Sequence, residues 1–331
     1  MKVDLNTASD ILLSGKIVAI PTETVYGLAA DALNPDAVLQ IFEAKSRPRF
    51  NPLICHLPHV AEVKNYCHPP ASLEVLASLW PGPLTILMPH NGSIPSLVTA
   101  GSTLCAFRVP SHPIALELLK KVRRPLAAPS ANKSGRVSPV NADMVEREFR
   151  GSLPVLDGGQ CSVGLESTIV LAKEDSVSIL RNGKYTALDF ENLGLKVEPA
   201  ARDIRAPGQM LRHYAPEVPL VLLTREQKAA ESEAIHVDAK GKIAWLGFRG
   251  SKPPFDAQVF ELSQSGDLHE AARHLFFYFD RMARERFDYI VAELVPEEGI
   301  GLAINDRLRR AADMEGSVQN GRLSAWRIMH V

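Results

Sequence analysis

Between Lys45 and His56 the chain reads Lys-Ser-Arg-Pro-Arg-Phe-Asn-Pro-Leu-Ile-Cys-His, in which three cations alternate with small or rigid residues. Pro48 and Pro52 lack a backbone donor and end a preceding helix, so Lys45, Arg47 and Arg49 project from a stiff loop. Ammonium point charges and guanidinium forks together neutralise several oxygens of a polyphosphate. The alternative is that these cations only complement the C-terminal dipole of the helix before them, an effect of about 0.3–1 kcal/mol. Three further stretches place hydroxyls and small residues beside apolar runs. Pro21–Leu28 reads Pro-Thr-Glu-Thr-Val-Tyr-Gly-Leu, and Leu126–Asn132 reads Leu-Ala-Ala-Pro-Ser-Ala-Asn with Ser138-Pro139 beyond. Glu166-Ser167-Thr168 follows the glycine-rich Asp157–Gly164. Hydroxyls and glycine just past a strand line ligand crevices in α/β sheets, and small residues let a ligand approach the backbone. Pro21–Leu28, taken alone, reads equally well as a turn with solvated hydroxyls, and Leu126–Asn132 has a plain turn as its alternative. The glycine-rich stretch contains neither Gly-Lys-Ser/Thr nor Gly-x-Gly-x-x-Gly, so it is neither a P-loop nor a dinucleotide fingerprint.

The elements that must position these residues follow from periodicity. Leu53–Leu57 reads as a short strand with Leu53, Cys55 and Leu57 on one face and Ile54 and His56 on the other. Lys16–Ile20 is a second, bounded by Gly15 and Pro21. Asn34, Pro35 and Asp36 open a helix with a capping side chain, a first-turn proline and an acid near the positive end. Its buried stripe is Val38, Ile41 and Phe42, and it runs into Lys45. Helices are expected over Ala71–Trp80 and His112–Val122. Strands are expected over Leu84–Met88, Thr103–Val109, Ile169–Leu171 and Val177–Leu180, with Arg108 near the end of one and Arg181 closing another. Short strands interleaved with helices indicate an α/β fold. Glu198–Pro219 carries several prolines around Arg212-His213-Tyr214-Ala215-Pro216 and reads as an extended linker. A second α/β unit follows, with strands over Pro219–Leu223, Lys242–Phe248 and Asp288–Leu294 and parallel pairing. Its helices are expected over Glu226–Ile235, Asp267–Phe287 and Ile304–Ala312.

A chain of 331 residues is comfortable for two domains, and 46% hydrophobic with 23% charged residues is ordinary for a soluble globular protein. A net charge of −1 excludes a globally basic nucleic-acid binder but leaves room for a local basic cleft. No run approaches the ~20 apolar residues of a membrane helix, and the N-terminus lacks a signal-peptide core. A cytoplasmic protein with no membrane partner is expected. The four cysteines form no Cys-x-x-Cys pair. Neighbours on a strand face opposite ways, so Cys55-His56 and Cys67-His68 are poorly placed to ligate one ion, and reduced thiols without a structural metal are expected.

Taken in order, Pro21–Leu28, Lys45–Leu53, Arg108-Val109-Pro110, Pro129–Asn132 and Glu166-Ser167-Thr168 resemble the Sua5/YrdC family. His213-Tyr214-Ala215-Pro216 resembles the linker of its longer, two-domain Sua5 form. The resemblance implies a twisted mixed-sheet YrdC-like domain with a large concave cavity, over residues 1–195. A linker over 196–218 and a smaller Rossmann-like α/β domain over 219–331 complete the implied organisation. It implies an ATP-dependent nucleotidyltransferase that joins L-threonine, bicarbonate and ATP into threonylcarbamoyl-AMP and pyrophosphate, with Mg²⁺ accompanying the nucleotide. The adenylate would feed threonylcarbamoyladenosine formation in tRNA, making tRNA or a tRNA-modifying complex a downstream partner. By similarity, Lys45 and Arg47 form the catalytic phosphate-holding pair. Asn51, Ser130, Asn132, Ser138, Arg181, His213 and Tyr214 join them on ATP. Thr24, His56, Arg108, Ala128 and Ser167 hold threonine, with Arg108 on its carboxylate. Arg49 sits at a variable family position and stays outside the site. Gln209-Met210-Leu211 stands where many relatives have Met-Lys-Tyr, and Thr103–Arg108 is one residue longer than the family pattern. Two other readings stand beside this one. An RNA-binding or ribosome-associated factor would grip a helix with a concave basic surface of Lys45, Arg47, Arg49, Arg108, Arg123, Arg124, Lys133, Arg136 and Arg181. A carbamoyl-transfer relative would act on another acceptor.

Overall fold

The computed structural model describes residues 1–201, 207, 212–223, 235–236, 241–319 and 322–328. The chain divides into two units, Met1–Ser134 with Ser138–Gln209, and Gly135–Val137 with Met210–Val331. The fold is mixed α/β with one large sheet in each unit.

The first sheet has eleven strands in the order Lys2–Val3, Val155–Leu156, Val18–Ile20, Gly27–Asp31, Leu126–Ala127, Ile54–His56, Leu104–Arg108, Leu84–Pro89, Thr168–Ala172, Ser176–Arg181 and Lys196–Val197. Its strands are buried nearly throughout because helices cover them. Ala8 and Leu12 of the helix Leu5–Leu13 and Leu118, Leu119 and Val122 of the helix Pro113–Val122 pack on Val18, Ile20, Ala29 and Leu126. Burial of this kind stabilises by roughly 25 cal/mol per Å² of apolar surface. The helix Pro35–Lys45 begins as its sequence dictates: the Asn34 side chain accepts from the Asp36 and Ala37 amides, and Pro35 fills the first position. It stops at Lys45 because Ser46 turns left-handed, with φ 50°.

Between residues 71 and 80 the expected single helix is instead a short turn of helix, Leu73–Leu76, continued by a 3₁₀ turn, Ala77–Leu79. Trp80 leaves it in extended conformation and donates Nε1 to the Leu84 carbonyl at 2.7 Å, which draws the chain into the next strand.

Among the described residues the second unit has a seven-stranded sheet, ordered Ile235–His236, Arg322–Arg327, Met314–Gln319, Leu220–Leu223, Tyr289–Ala292, Ile243–Gly247 and Gln258–Glu261. Its centre is parallel, and an antiparallel hairpin of Met314–Gln319 and Arg322–Arg327 closes one side. Its covering helices include Leu268–Arg284 and Gly301–Ala311. The helix expected over Glu226–Ile235 lies outside the described residues except for Ile235, which is in a strand, and Gln209-Met210-Leu211 also lies outside them.

Candidate active site

The short strand Ile54–His56 is the hinge of the site, because one group of polar side chains gathers before it and another after it. Lys45, Arg47 and Asn51 precede it. The strand Leu126–Ala127 runs antiparallel to it, so the following Ser130 and Asn132 return to the same end. There Lys45 Nζ donates to the Ser130 carbonyl at 2.5 Å and to the Asn132 carbonyl. Two of its three N–H directions are thereby used. Lys45 is fully buried; that burial, and then the neighbouring Arg47 charge, hold its ammonium well below the usual lysine range. Arg47 donates to the carbonyls of Asn51 at 3.3 Å and Pro52 at 3.0 Å, so its buried guanidinium stiffens the loop it stands on. Arg49 is exposed.

At the other end, His56 and Arg108 close two parallel strands and are direct partners on the ladder. Burial first, and then the Arg108 charge, push the His56 imidazole down to about 3, so it is neutral at working pH. Its Nδ1 lies 3.2 Å from the Ile54 carbonyl, which assigns the proton to that nitrogen. The loop after Val18–Ile20 brings Thr24 over this end, and Arg108 Nη1 donates to Thr24 Oγ1 at 2.9 Å. Thr24 is held in turn by Thr22 Oγ1 at 2.8 Å. Arg108 Nη2 sits 2.7 Å from Glu23 Oε1 in an ion pair, but off the N–H axis, and its Nε has no hydrogen-bond partner among the described residues. Both side chains are about 95% buried. Burial works to raise the Glu23 carboxyl; the Arg108 charge, together with backbone donors such as the Ser111 amide, outweighs it and leaves the group below the usual carboxylate range.

The sheet continues the site sideways. Leu84 pairs with Thr168 and Ile169 with Arg181, so Thr85, Ser167 and Arg181 lie at neighbouring strand ends. Ser167 Oγ is 2.7 Å from Thr85 Oγ1 and accepts from Arg181 Nη2 at 3.0 Å, while Arg181 Nε donates to the Ser167 carbonyl at 3.1 Å. Arg181 Nη1 also donates to the Pro207 carbonyl at 3.2 Å. A Cβ on Gly183 would lie 2.3 Å from the Thr168 nitrogen, so only glycine lets this turn press against Ser167-Thr168. Ser138 Oγ donates to the buried Glu166 carboxylate. Ala128 joins the strand Ile54–His56 by donating its amide to the Ile54 carbonyl at 2.9 Å.

The structure therefore brings Thr24, His56 and Arg108 together, joins Lys45 to Ser130 and Asn132, and joins Ser167 to Arg181. His213 and Tyr214 belong to the second unit. There the His213 amide donates to the Arg310 carbonyl at 3.0 Å, the Tyr214 ring stacks on Phe276 at 5.6 Å, and the Arg307 guanidinium lies 5.2 Å from that ring. Sequence reasoning missed Glu23, Thr85, Glu166 and Gly183. Glu23 had a signal, a charge between two threonines just past a buried strand. Thr85 had only a faint one, a hydroxyl in an apolar run. Among the described residues no group of three or more His, Cys, Asp or Glu side chains has metal-binding form, and the four cysteines are free and buried. No helix among them is long and apolar enough to cross a membrane.

A two-sheet α/β chain whose buried cations sit beside threonine and serine hydroxyls at shared strand ends has known counterparts, and this chain belongs to the Sua5/YciO/YrdC family. Residues 10–183 match that family, whose description reads "Telomere recombination". Residues 177–313 match the family described as "Threonylcarbamoyl-AMP synthase, C-terminal domain", which places the chain in the long Sua5 form. It is 38% identical over 320 residues to the threonylcarbamoyl-AMP synthase of Pyrococcus abyssi, covering 93% of this chain and 94% of that protein. It is 35% identical over 317 residues to the protein of the same name from Bacillus subtilis, covering 92% of each. The crystal structure of P. abyssi Sua5 complexed with L-threonine superposes with a TM-score of 0.83 at 35% identity, covering 94% of this chain and 97% of that one.

Proposed function

We propose that this protein is a threonylcarbamoyl-AMP synthase, taking L-threonine, bicarbonate and Mg²⁺-bound ATP to threonylcarbamoyl-AMP and pyrophosphate, with tRNA modification as the use of the product. The observation that carries the reading is Arg108: a buried guanidinium whose Nε has no hydrogen-bond partner among the described residues, beside a threonine hydroxyl and a neutral imidazole, suits one small carboxylate. Thr24, His56, Ala128 and Ser167 would surround the rest of the amino acid. Lys45 and Arg47 would hold the phosphates, with Asn51, Ser130, Asn132, Ser138, Arg181, His213 and Tyr214 on the nucleotide. We assign catalysis to residues 1–195, linked through 196–218 to the domain over 219–331.

In this reading the threonine amine and bicarbonate give a carbamate and water. A carbamate oxygen then attacks the α-phosphorus, and the bond to the β-phosphate oxygen breaks to release pyrophosphate. That chemistry asks for positioning and charge neutralisation, and needs no protein nucleophile. Lys45 is suited to it because its ammonium is poorly stabilised when buried, so an arriving phosphate relieves a strain already present. The RNA-grip reading is disfavoured because Lys45, Arg47, Arg108 and Arg181, four of its cations, are buried. The test is pyrophosphate release from ATP by the purified chain, which should require both L-threonine and bicarbonate. Equal release without threonine would sink the proposal.

A further inference from the structure

We propose that Glu23 is a positioning residue that sets the charge preference of the Arg108 site, making it select a zwitterionic amino acid over a simple carboxylic acid. The inference rests on the reading of Arg108 as the partner of threonine's carboxylate. Buried arginine alone attracts any small anion. Here the guanidinium lies 2.7 Å from Glu23 Oε1, and Glu23 Oε2 accepts from the Ser111 amide at 3.1 Å. The carboxylate is thus anchored on a backbone outside the guanidinium, and Arg108 is fixed from two sides, by Glu23 on Nη2 and Thr24 on Nη1. Arg108 Nε is buried and makes no hydrogen bond among the described residues.

The charges add up simply at this end of the site. Arg108 contributes one positive charge and Glu23 one negative, while His56 is neutral. Burial strengthens each interaction, so an anion without a cation of its own is repelled by Glu23 as well as attracted by Arg108, and gains little from a pair of zero net charge. A zwitterion brings its ammonium as well, and its two charges match the pair. Lys45 and Arg47 stand at the other end of the strand Ile54–His56, away from Glu23.

The experiment is calorimetric titration of wild type, Glu23→Gln and Glu23→Asp with L-threonine and with 3-hydroxybutyrate, which keeps a carboxylate and hydroxyl but has no ammonium. In wild type, threonine should bind with clear preference. Glu23→Gln keeps an acceptor for Ser111 but loses the charge, and its preference for threonine should fall at least about tenfold, with ATP affinity kept within about twofold. Glu23→Asp keeps the charge at shorter reach; both ligands should weaken severalfold while the preference stays. An unchanged preference in folded Glu23→Gln overturns the inference, as does an equal loss in Glu23→Asp. Should Glu23→Gln not fold, Glu23→Asp decides alone: weaker binding with preference kept supports the inference, and unchanged affinities overturn it. Failure of wild type to bind threonine overturns the functional reading itself.

Discussion

Lowering the pH from 7.5 to 5 should destabilise the first unit through His56, by a predictable amount. An unfolded histidine titrates near ~6.5, whereas the folded imidazole is pushed down to about 3. Between those values the unfolded chain holds a proton that the folded chain does not, so acid favours unfolding. At pH 5, about 1.5 units below the unfolded value, the loss is about 2 kcal/mol at ~1.36 kcal/mol per unit. Glu23 does not confound this window. Its carboxyl is lowered on folding, so the stability it adds is lost only as pH falls below the usual carboxylate range. The assay is urea unfolding at both pH values, followed by Trp80 emission after Trp245 and Trp326 have been replaced by Phe. With a slope of roughly 1–3 kcal/mol/M, the midpoint should fall by about 1 M more in this background than in the same background carrying His56→Asn. Identical pH dependence in the two chains would refute the burial argument, because it would mean that the fold does not hold His56 neutral.

Lys45→Ala or Arg47→Ala should lower steady-state pyrophosphate release by about 100-fold or more, the scale of losing one preorganised charge contact. Arg108→Ala should raise the apparent KM for threonine by about 30-fold or more while leaving nucleotide affinity near wild type, since truncating a buried charge partner costs roughly 2–5 kcal/mol; separate titrations with threonine and ATP check it. Gly183→Ala should destabilise the first unit by about 1–3 kcal/mol in urea unfolding and raise the threonine KM, because its Cβ would meet the backbone of Ser167-Thr168.

Much of the site was legible because chemistry-bearing residues cluster beside strands. Lys45 closes a helix whose cap, first-turn proline and apolar stripe are all written locally. His56 and Arg108 were visible as strand residues, but their pairing was not, because a ladder partner is chosen by tertiary packing rather than by local pattern. Glu23 stayed unread for the same reason: its partners, Arg108 and the Ser111 amide, are distant in sequence. The helix expected over Ala71–Trp80 forms only as Leu73–Leu76 and a 3₁₀ turn, Ala77–Leu79: Ser72 makes no side-chain capping bond at its start, and Pro81 follows its end.

The side-chain contacts of the candidate site join segments far apart in the chain. Thr24 and Arg108 are 84 residues apart in the chain, and Thr85 and Ser167 are 82 apart. Contacts of such separation form only after loop closure, so they belong to the slow part of folding. Helices such as Pro35–Lys45 can form from neighbours alone and precede them. During refolding, helical signal should therefore return before threonine binding.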